Sequence, residues 1–532
     1  MSQILPLTTV CAQHPFAFLA AAVVAVTVFN LLSVRRQLKA IGFHPGVRLL
    51  ITPLVPYPIP NIEGICWSPG WWYRAPYKPF EKARTDVISC VSLFPPRVSY
   101  LLADPVALKE WNRSRASFTK PPKLYNKVEP FGRNIVSAEG ADYKRRRGPA
   151  QSSFTERNNK FTFEASLSIA QKLFSSRGWR NKDVVECKDV ADMMERFALR
   201  VIAVAGFGQD IVSEENDAAA TEVRLEHAFQ VVSDHLMTLI LVPRWLYPII
   251  PSLRPLAKSY AFVLSHIHVM MHERRTSPDV VRSDLFSGLL GAADEASAAG
   301  KGDGLTDDEL IADIVTFLVA GHETTAHALA FALALLAMHP VVQEKMYKDL
   351  QPFVSSDGDI AYNDIPKLSY TLAVFYEATR LHPPIFAYTK GAVRSDVTLP
   401  TASGEPIVVP EGTWLSAHVN ALHYNPKCWP NPEIFKPERF LDPEWPRDAF
   451  VAFSSGPRAC IGRRFAETEA VTFLATIIAQ YRVELPPDFN RQAPGARSGA
   501  PKPPFKFQLG LTAKPCDLHL VFRRRSGPAK VI

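Results

Sequence analysis

The sequence lacks any close pairing of cysteines. Its seven (Cys11, Cys66, Cys90, Cys187, Cys428, Cys460 and Cys516) are odd in number, far apart and never spaced as Cys-x-x-Cys. That argues against a disulfide framework and a thiolate-built zinc site, and fits a reducing compartment. Glycine is scarce, 26 against 45 prolines in 532 residues, which favours many bounded loops over low-complexity linkers. No nucleic-acid-binding motif is present, and the net charge of +8 is dispersed apart from a few short runs. An anionic membrane surface or an acidic protein partner remains as a target for basic surface. A content of 47% hydrophobic residues supports a large core and excludes global disorder.

Charge is absent from residues 15–34, PFAFLAAAVVAVTVFNLLSV. About 20 such residues span a bilayer as a helix. No Lys or Arg precedes the run, which argues against a cleaved signal peptide. Arg35, Arg36 and Lys39 follow it. By the positive-inside rule, residues 1–14 are then lumenal and the bulk of the chain is cytosolic. The basic residues and the prolines at 45, 53, 56, 58 and 60 make 35–60 a hinge, ahead of a single large domain over 61–532.

The body reads as mainly helical with a small β-sheet region. Two short strands are expected between Asp86 and Leu102, then a helix over 104–113. A long irregular stretch to Gly140 carries Phe118, Tyr125, Phe131, Ile135 and Val136, and long loops of this kind often line a site. Tyr143 and Arg147, four apart, share one helix face, with Lys144, Arg145 and Arg146 pointing elsewhere as an exposed basic run. Further helices are expected over 156–174, 189–205, 221–241 and 253–275, and an exposed connection over 277–304.

Thr306-Asp307-Asp308-Glu309 is a capping box that starts an almost wholly apolar helix running to His339. Such a helix is buried through the centre of a domain. Its middle, Ala320-Gly321-His322-Glu323-Thr324-Thr325, breaks the pattern. One reading is a passive bend made by threonine back-bonding to the i−4 carbonyl. The other is an opened groove in which Glu323 and Thr324 relay protons. Further on, Glu377-Ala378-Thr379-Arg380 places an acid and a base on one helical face, and Arg439 supplies a second guanidinium for Glu377.

Phe453-Ser454-Ser455-Gly456-Pro457-Arg458-Ala459-Cys460-Ile461-Gly462 holds one cysteine between two glycines. A lone cysteine in a Gly-Pro turn is usually a buried structural residue. A single thiolate can also hold one axial position of a haem iron. In that reading Gly462 brings backbone N–H groups to the sulfur, and Arg458 reaches a haem propionate.

The ordered set AGHETT, EATR, PERF and FSSGPRACIG resembles the cytochrome P450 family, and the resemblance runs nearly the whole chain. It implies a P450-type domain behind an N-terminal transmembrane helix, binding haem b. Cys460 is then the proximal iron ligand, with Phe453 and Gly462 around it. Arg458, Tyr143, Arg147 and Lys390 become propionate partners, although the family more often has Trp at the Tyr143 position and Arg near the Lys390 position. Glu323 and Thr324 become the oxygen-activation pair, and Glu377, Arg380 and Arg439 a structural lock.

The implied activity is that of an oxidoreductase, a monooxygenase inserting one atom of O2 into a C–H bond of a lipophilic small molecule. NADPH-derived electrons would arrive through a cytochrome P450 reductase, docking on Lys144, Arg145, Arg146, Arg463 and Arg464. The implied location is the endoplasmic reticulum membrane, single-pass. The tract 132–159 is most similar to fungal members that serve terpenoid or other specialised metabolism. The expected pocket draws on Phe118, Tyr125, Phe317, Ala320, Ile385, Phe386, Tyr388, Gly510 and Leu511. The alternatives are a haem-thiolate isomerase or peroxygenase that needs no reductase, or a non-catalytic haem-binding membrane protein. An intact Glu323-Thr324 pair argues against the first.

Overall fold

A computed structural model describes residues 15–525 apart from 53–61, 63, 67–72, 115–116, 177, 209–224, 277–283, 299–303, 356–358, 393–394 and 490–502. The chain forms two compact units. One comprises Met1–Thr119 with Ala387–Leu422, the other Lys120–Phe386 with His423–Ile532.

The first unit is built on a six-stranded sheet. Its strands are β1 (Gly46–Ile51), β2 (Val87–Phe94), β3 (Arg97–Leu102), β4 (Phe118–Thr119), β6 (Ala387–Ala392) and β9 (Trp414–His418), in the order β1-β2-β3-β9-β6-β4. β2 and β3 are the expected strand pair, and in the same unit β7 (Val397–Leu399) pairs antiparallel with β8 (Ile407–Val409). The N-terminal helix spans Pro15–Ala40, longer than the apolar run, and continues through Arg35, Arg36 and Lys39. Its stretch Leu19–Ala40 is long and apolar enough to cross a membrane. Gln37 near its end accepts the Val98 N–H at 3.0 Å.

The expected hinge over 35–60 is therefore corrected in part. Residues 35–40 are helical and 46–51 form β1, parallel to β2, because the alternating run Val-Arg-Leu-Leu-Ile pairs as a strand. Gly46 is needed there, since a Cβ would lie 1.9 Å from the Ser89 carbonyl oxygen. Residues 53–60 of the hinge lie outside the described residues.

The second unit is helical. Its central helix, Asp307–Met338, has the capping box in full: Thr306 accepts from the Glu309 N–H, and Glu309 accepts from the Thr306 N–H. At 1.5 Å per residue it is about 48 Å long. The helices Glu156–Ser176, Val190–Val201, Leu225–Asp234 and Arg254–Thr276 lie near their expected positions. A three-stranded sheet joins β5 (Val184–Cys187), β13 (Leu520–Arg524) and β10 (Tyr481–Glu484), and β11 (Lys506–Leu509) with β12 (Ala513–Cys516) forms a hairpin.

The connection over 277–304 contains a helix, Leu285–Ala298, that is not expected from the sequence. Its Ala, Gly and Ser content hides an amphipathic spacing in which Leu285, Phe286, Leu289, Leu290 and Ala293 are buried. Gly288 allows the close approach, as a Cβ there would lie 2.8 Å from Ser153 Oγ.

Candidate active site

The cysteine loop turns at Gly456, whose φ of +68° is one that glycine adopts without strain. Gly456–Arg458 is a single 3-10 turn, and the Cys460 N–H then donates to the Phe453 carbonyl at 2.8 Å, closing the loop. Helix Arg463–Gln480 follows. Cys460 lies deep in the protein, so burial pushes its thiol pKa up. The Gly462 N–H on the sulfur and the nearby Arg147 and Arg463 partly oppose this. The residue nevertheless keeps accessible surface, so it opens onto a cleft rather than onto packed side chains.

The central helix is nearly solid with buried residues except over one face. Thr316, Phe317, Gly321 and Thr324 are half-buried there and Ala320 is exposed, although Ala312, Ile314 and Leu329 on the same helix are fully buried. These positions recur at helical spacing. Thr324 Oγ1 donates back to the Ala320 carbonyl at 2.8 Å. Glu323, also half-buried, accepts from the Thr512 hydroxyl.

Two struts join this helix to the cysteine loop. Phe154 meets Phe317 edge-on at 6.3 Å, and its Cε1 lies 3.8 Å from where a Gly462 Cβ would sit. Phe317 is therefore a wall beside the loop. The second strut is the segment 134–139. Its Ile135 N–H donates to Asp313 Oδ1 at 2.6 Å, while Arg458 donates to the Ile135 carbonyl at 3.3 Å and to Glu139 Oε1 at 2.7 Å.

Arg458, Tyr143 and Arg147 form one cluster. The Arg458 guanidinium stacks 3.3 Å over the Tyr143 ring, and Arg147 donates to Tyr143 Oη at 2.9 Å and to the Ala459 carbonyl at 3.2 Å. Tyr143 Oη donates to the Pro457 carbonyl at 3.0 Å. Lys390 pairs with Leu415 through its backbone on β6, and its side chain lies outside the described residues.

The expected basic run is corrected. Arg146 is fully buried, 3.0 Å from Asp313 and 2.8 Å from Glu309, and Arg145 is bound to Glu309 and Asp142. The acids of the capped helix start draw both guanidiniums inward, and only Lys144 of the run is exposed. Arg463 and Arg464 are partly exposed, with Arg463 donating to Glu467 at 2.7 Å.

Glu377, Arg380 and Arg439 come together in one ion-pair cluster. Arg380 grips Glu377 bidentately at 2.6 and 2.9 Å, and Arg439 reaches the same carboxylate at 3.3 Å. Glu377 and Arg380 are 0% exposed. His423, which no sequence motif marks, ties the lock to the cysteine segment. Its Nδ1 donates to the Arg380 carbonyl at 3.1 Å and its Nε2 accepts the Val451 N–H at 3.0 Å. Burial first, and the Arg380 charge second, hold its pKa down to about 3.

The expected pocket residues are divided between the two units. Tyr388 belongs to the sheet unit, stacked on Trp111 at 5.5 Å and bonded to Asn112 at 3.1 Å, so packing there uses its ring. Phe118 is buried on β4 of that unit. Tyr125 lies beneath the Lys120 ammonium at 4.8 Å. Ala320, Ile385, Phe386, Gly510 and Leu511 keep accessible surface in the helical unit. A small apolar cavity of about 30 Å³, which these residues do not line, lies against Leu318, Leu199, Phe229 and Met270.

Among the described residues no cluster of three or more His, Cys, Asp or Glu could hold a metal. One accessible thiol with an N–H on its sulfur, beside two guanidiniums and a phenol, is the donor set that suits a haem carrying propionates. Gly462 fits the same group, since its φ of −87° needs no glycine and its missing side chain leaves a clear approach.

The family model for cytochrome P450 matches residues 88–510. Cytochrome P450 monooxygenase 124 of Postia placenta is 39% identical over 451 residues, 83% of this chain and 86% of that protein. Cyclooctat-9-en-7-ol 5-monooxygenase of Streptomyces melanosporofaciens is 30% identical over 407 residues, covering 75% and 83%. Pentalenene oxygenase of Streptomyces avermitilis is 28% identical over 400 residues, covering 74% and 83%. The chain belongs to the cytochrome P450 family, whose monooxygenases are oxidoreductases that use a haem iron and dioxygen.

Proposed function

We propose that this chain is a membrane-anchored monooxygenase that inserts one oxygen atom into a C–H bond of a lipophilic substrate of terpenoid type. The observation that carries this reading is the accessible face of the central helix, bearing Glu323 and Thr324 and joined through Phe154 to the loop of Cys460. Relatives named for pentalenene and cyclooctat-9-en-7-ol support the substrate class. When bound, the haem supplies the dioxygen activation and oxygen transfer that no amino-acid side chain can.

Cys460 provides its thiolate ligand, steadied by the Gly462 N–H. Arg147 and Arg458 would hold its propionates through guanidinium donors, with Tyr143 positioning both. Glu323 and Thr324 hold and move protons at Oε1 and Oγ1. Ala320, Ile385 and Phe386 give the substrate an apolar wall. Lys144, Arg463 and Arg464 steer an acidic, NADPH-fed reductase, and the N-terminal helix keeps both proteins on the endoplasmic reticulum membrane.

The test is expression in microsomes with a reductase, fed a lipid and terpenoid panel and read by mass spectrometry. Reduced protein under CO should show the thiolate-type red-shifted Soret band, and Cys460→Ala should abolish it. Absence of that band in the wild type overturns the haem-thiolate reading. Turnover that persists without NADPH and reductase replaces the monooxygenase with an isomerase or peroxygenase.

A further inference from the structure

Glu323 is the inner end of a longer polar chain, all within the helical unit. Thr512 Oγ1 donates to Glu323 Oε1 and also lies 3.1 Å from His327 Nδ1, one turn along the central helix. His327 Nε2 lies 2.9 Å from Glu195 Oε1, on helix Val190–Val201. Lys514 Nζ lies 2.6 Å from the same oxygen. Thr512 lies just before β12 and Lys514 within it, and both reach this chain of contacts. The His327 side chain is 1% exposed and that of Lys514 is 27% exposed, so the chain runs from the buried helix towards solvent.

Counting hydrogens gives the chain its chemistry. The Thr512 hydroxyl has one proton. If that proton goes to Glu323, the contact with His327 is a hydrogen bond only when Nδ1 donates. The Glu195 carboxylate accepts only, so Nε2 must donate as well. With Glu323 ionised, only an imidazolium fills both contacts; a neutral ring with its proton on Nε2 fills them once Glu323 holds the proton and donates to Thr512.

The surrounding charges bear on this unequally. Burial pushes Glu195 up, but the His327 N–H and the Lys514 ammonium outweigh it and hold the carboxyl down to about 2. Asp234, from helix Leu225–Asp234, adds its charge near Glu195 and Lys514. His322 on the central helix would oppose a second cation, but its burial disfavours its own charged form.

We propose that Glu195, His327 and Thr512 form a proton reservoir that reloads Glu323, with Lys514 at its solvent end. The proposal rests on the reading of Glu323 as a proton carrier. In the transfer, the His327 Nδ1–H bond breaks as a new Thr512 O–H bond forms. The original Thr512 O–H bond breaks as Glu323 Oε1–H forms. His327 is left neutral with its proton on Nε2, and one proton from bulk water restores the imidazolium. His327 and Thr512 thus act through Glu323 and need not touch substrate.

The test uses the full-length enzyme in detergent, reduced and CO-bound, with ¹⁵N-labelled histidine. Both His327 nitrogens should be protonated at pH 7.4, and Glu195→Gln should return the ring to a neutral form. An unprotonated His327 nitrogen in the wild type at that pH overturns the proposal. In parallel, product per NADPH is measured with the panel terpenoid that the wild type oxidises fastest. His327→Gln and Thr512→Val should each lower it about tenfold, the scale at which supporting residues act, with Thr512→Ser restoring it. An intact red-shifted Soret band shows that each variant is folded. If Glu323→Gln impairs coupling and His327→Gln does not, the reservoir is wrong and the function stands. If neither impairs it, the role of Glu323 itself is wrong.

Discussion

Glu377 is wholly buried and receives Arg380, Arg439 and the Lys436 N–H, whereas Glu323 stays half-accessible and receives the Thr512 hydroxyl. The two carboxylates stand on neighbouring helices of one unit. The difference lies in what each could do with a proton. A carboxylate gripped by two guanidiniums inside protein is committed to them and holds elements together. One bonded through a single hydroxyl is not committed in that way, and the proposed function uses it as a proton carrier. The lock side of the molecule is rigid because its donors are committed. The central-helix side carries no such commitment, which is what the proposed proton transfer needs.

The sharpest way to break this comparison is Glu377→Ala. It strands the Arg380 guanidinium in a dry site, and removing one partner of a buried pair costs about 3–5 kcal/mol. The expected outcome is protein without the reduced CO band and with a greatly lowered Tm. A variant that folds normally would show that the lock is not structural. Glu323→Gln should do the reverse. It should leave stability within about 1 kcal/mol of wild type, the ordinary range for a single hydrogen bond. Product per NADPH should fall about a hundredfold, the low end of general acid–base effects.

Acid titration sharpens the lock side. Burial holds the pKa of His423, and likewise of His418 in the sheet unit, down to about 3. Each is neutral when folded, so its contribution is fully present above the unfolded value of about 6.5. It is lost as pH falls from there towards about 3, because the unfolded chain then binds the extra proton. The contribution of each of these histidines should therefore be flat above pH 7 and decline below about pH 6.5 by about 1.4 kcal/mol per pH unit. His423→Gln should remove one histidine's share of that slope. An unchanged slope in a pH series of thermal unfolding would count against a neutral, buried His423.

Residues close in sequence or set at helical period are legible in the sequence alone. The capping box at Thr306, the one-turn pair Glu377 and Arg380, and the loop closing on Cys460 all depend on local geometry, and the fold keeps each of them. Tyr143 and Arg147 do share a helix face, and Arg458 stacks on that tyrosine. The corrected expectations share a cause. Arg145 and Arg146 look like a solvated run until Glu309 and Asp313, over 160 residues away, come alongside.

His327 carries a local signal that the motifs overshadow, since it lies four after Glu323 and so on the same helical side. Its partners Thr512, Glu195 and Lys514 carry none.

By itself the sequence determined the class: one thiol in a Gly-Pro loop, an acid–hydroxyl pair inside an apolar helix, an acid–base pair one turn apart, and an apolar helix at the start. Those follow from covalent spacing and helical period, which hold wherever the chain goes. Only the tertiary structure decided which charges are buried, which face of the central helix stays open, and which hydroxyl reaches Glu323. Those depend on segments hundreds of residues apart meeting in a low-dielectric interior, where a separation of about 3 Å rather than a position in the chain sets whether a group is a lock or a proton carrier.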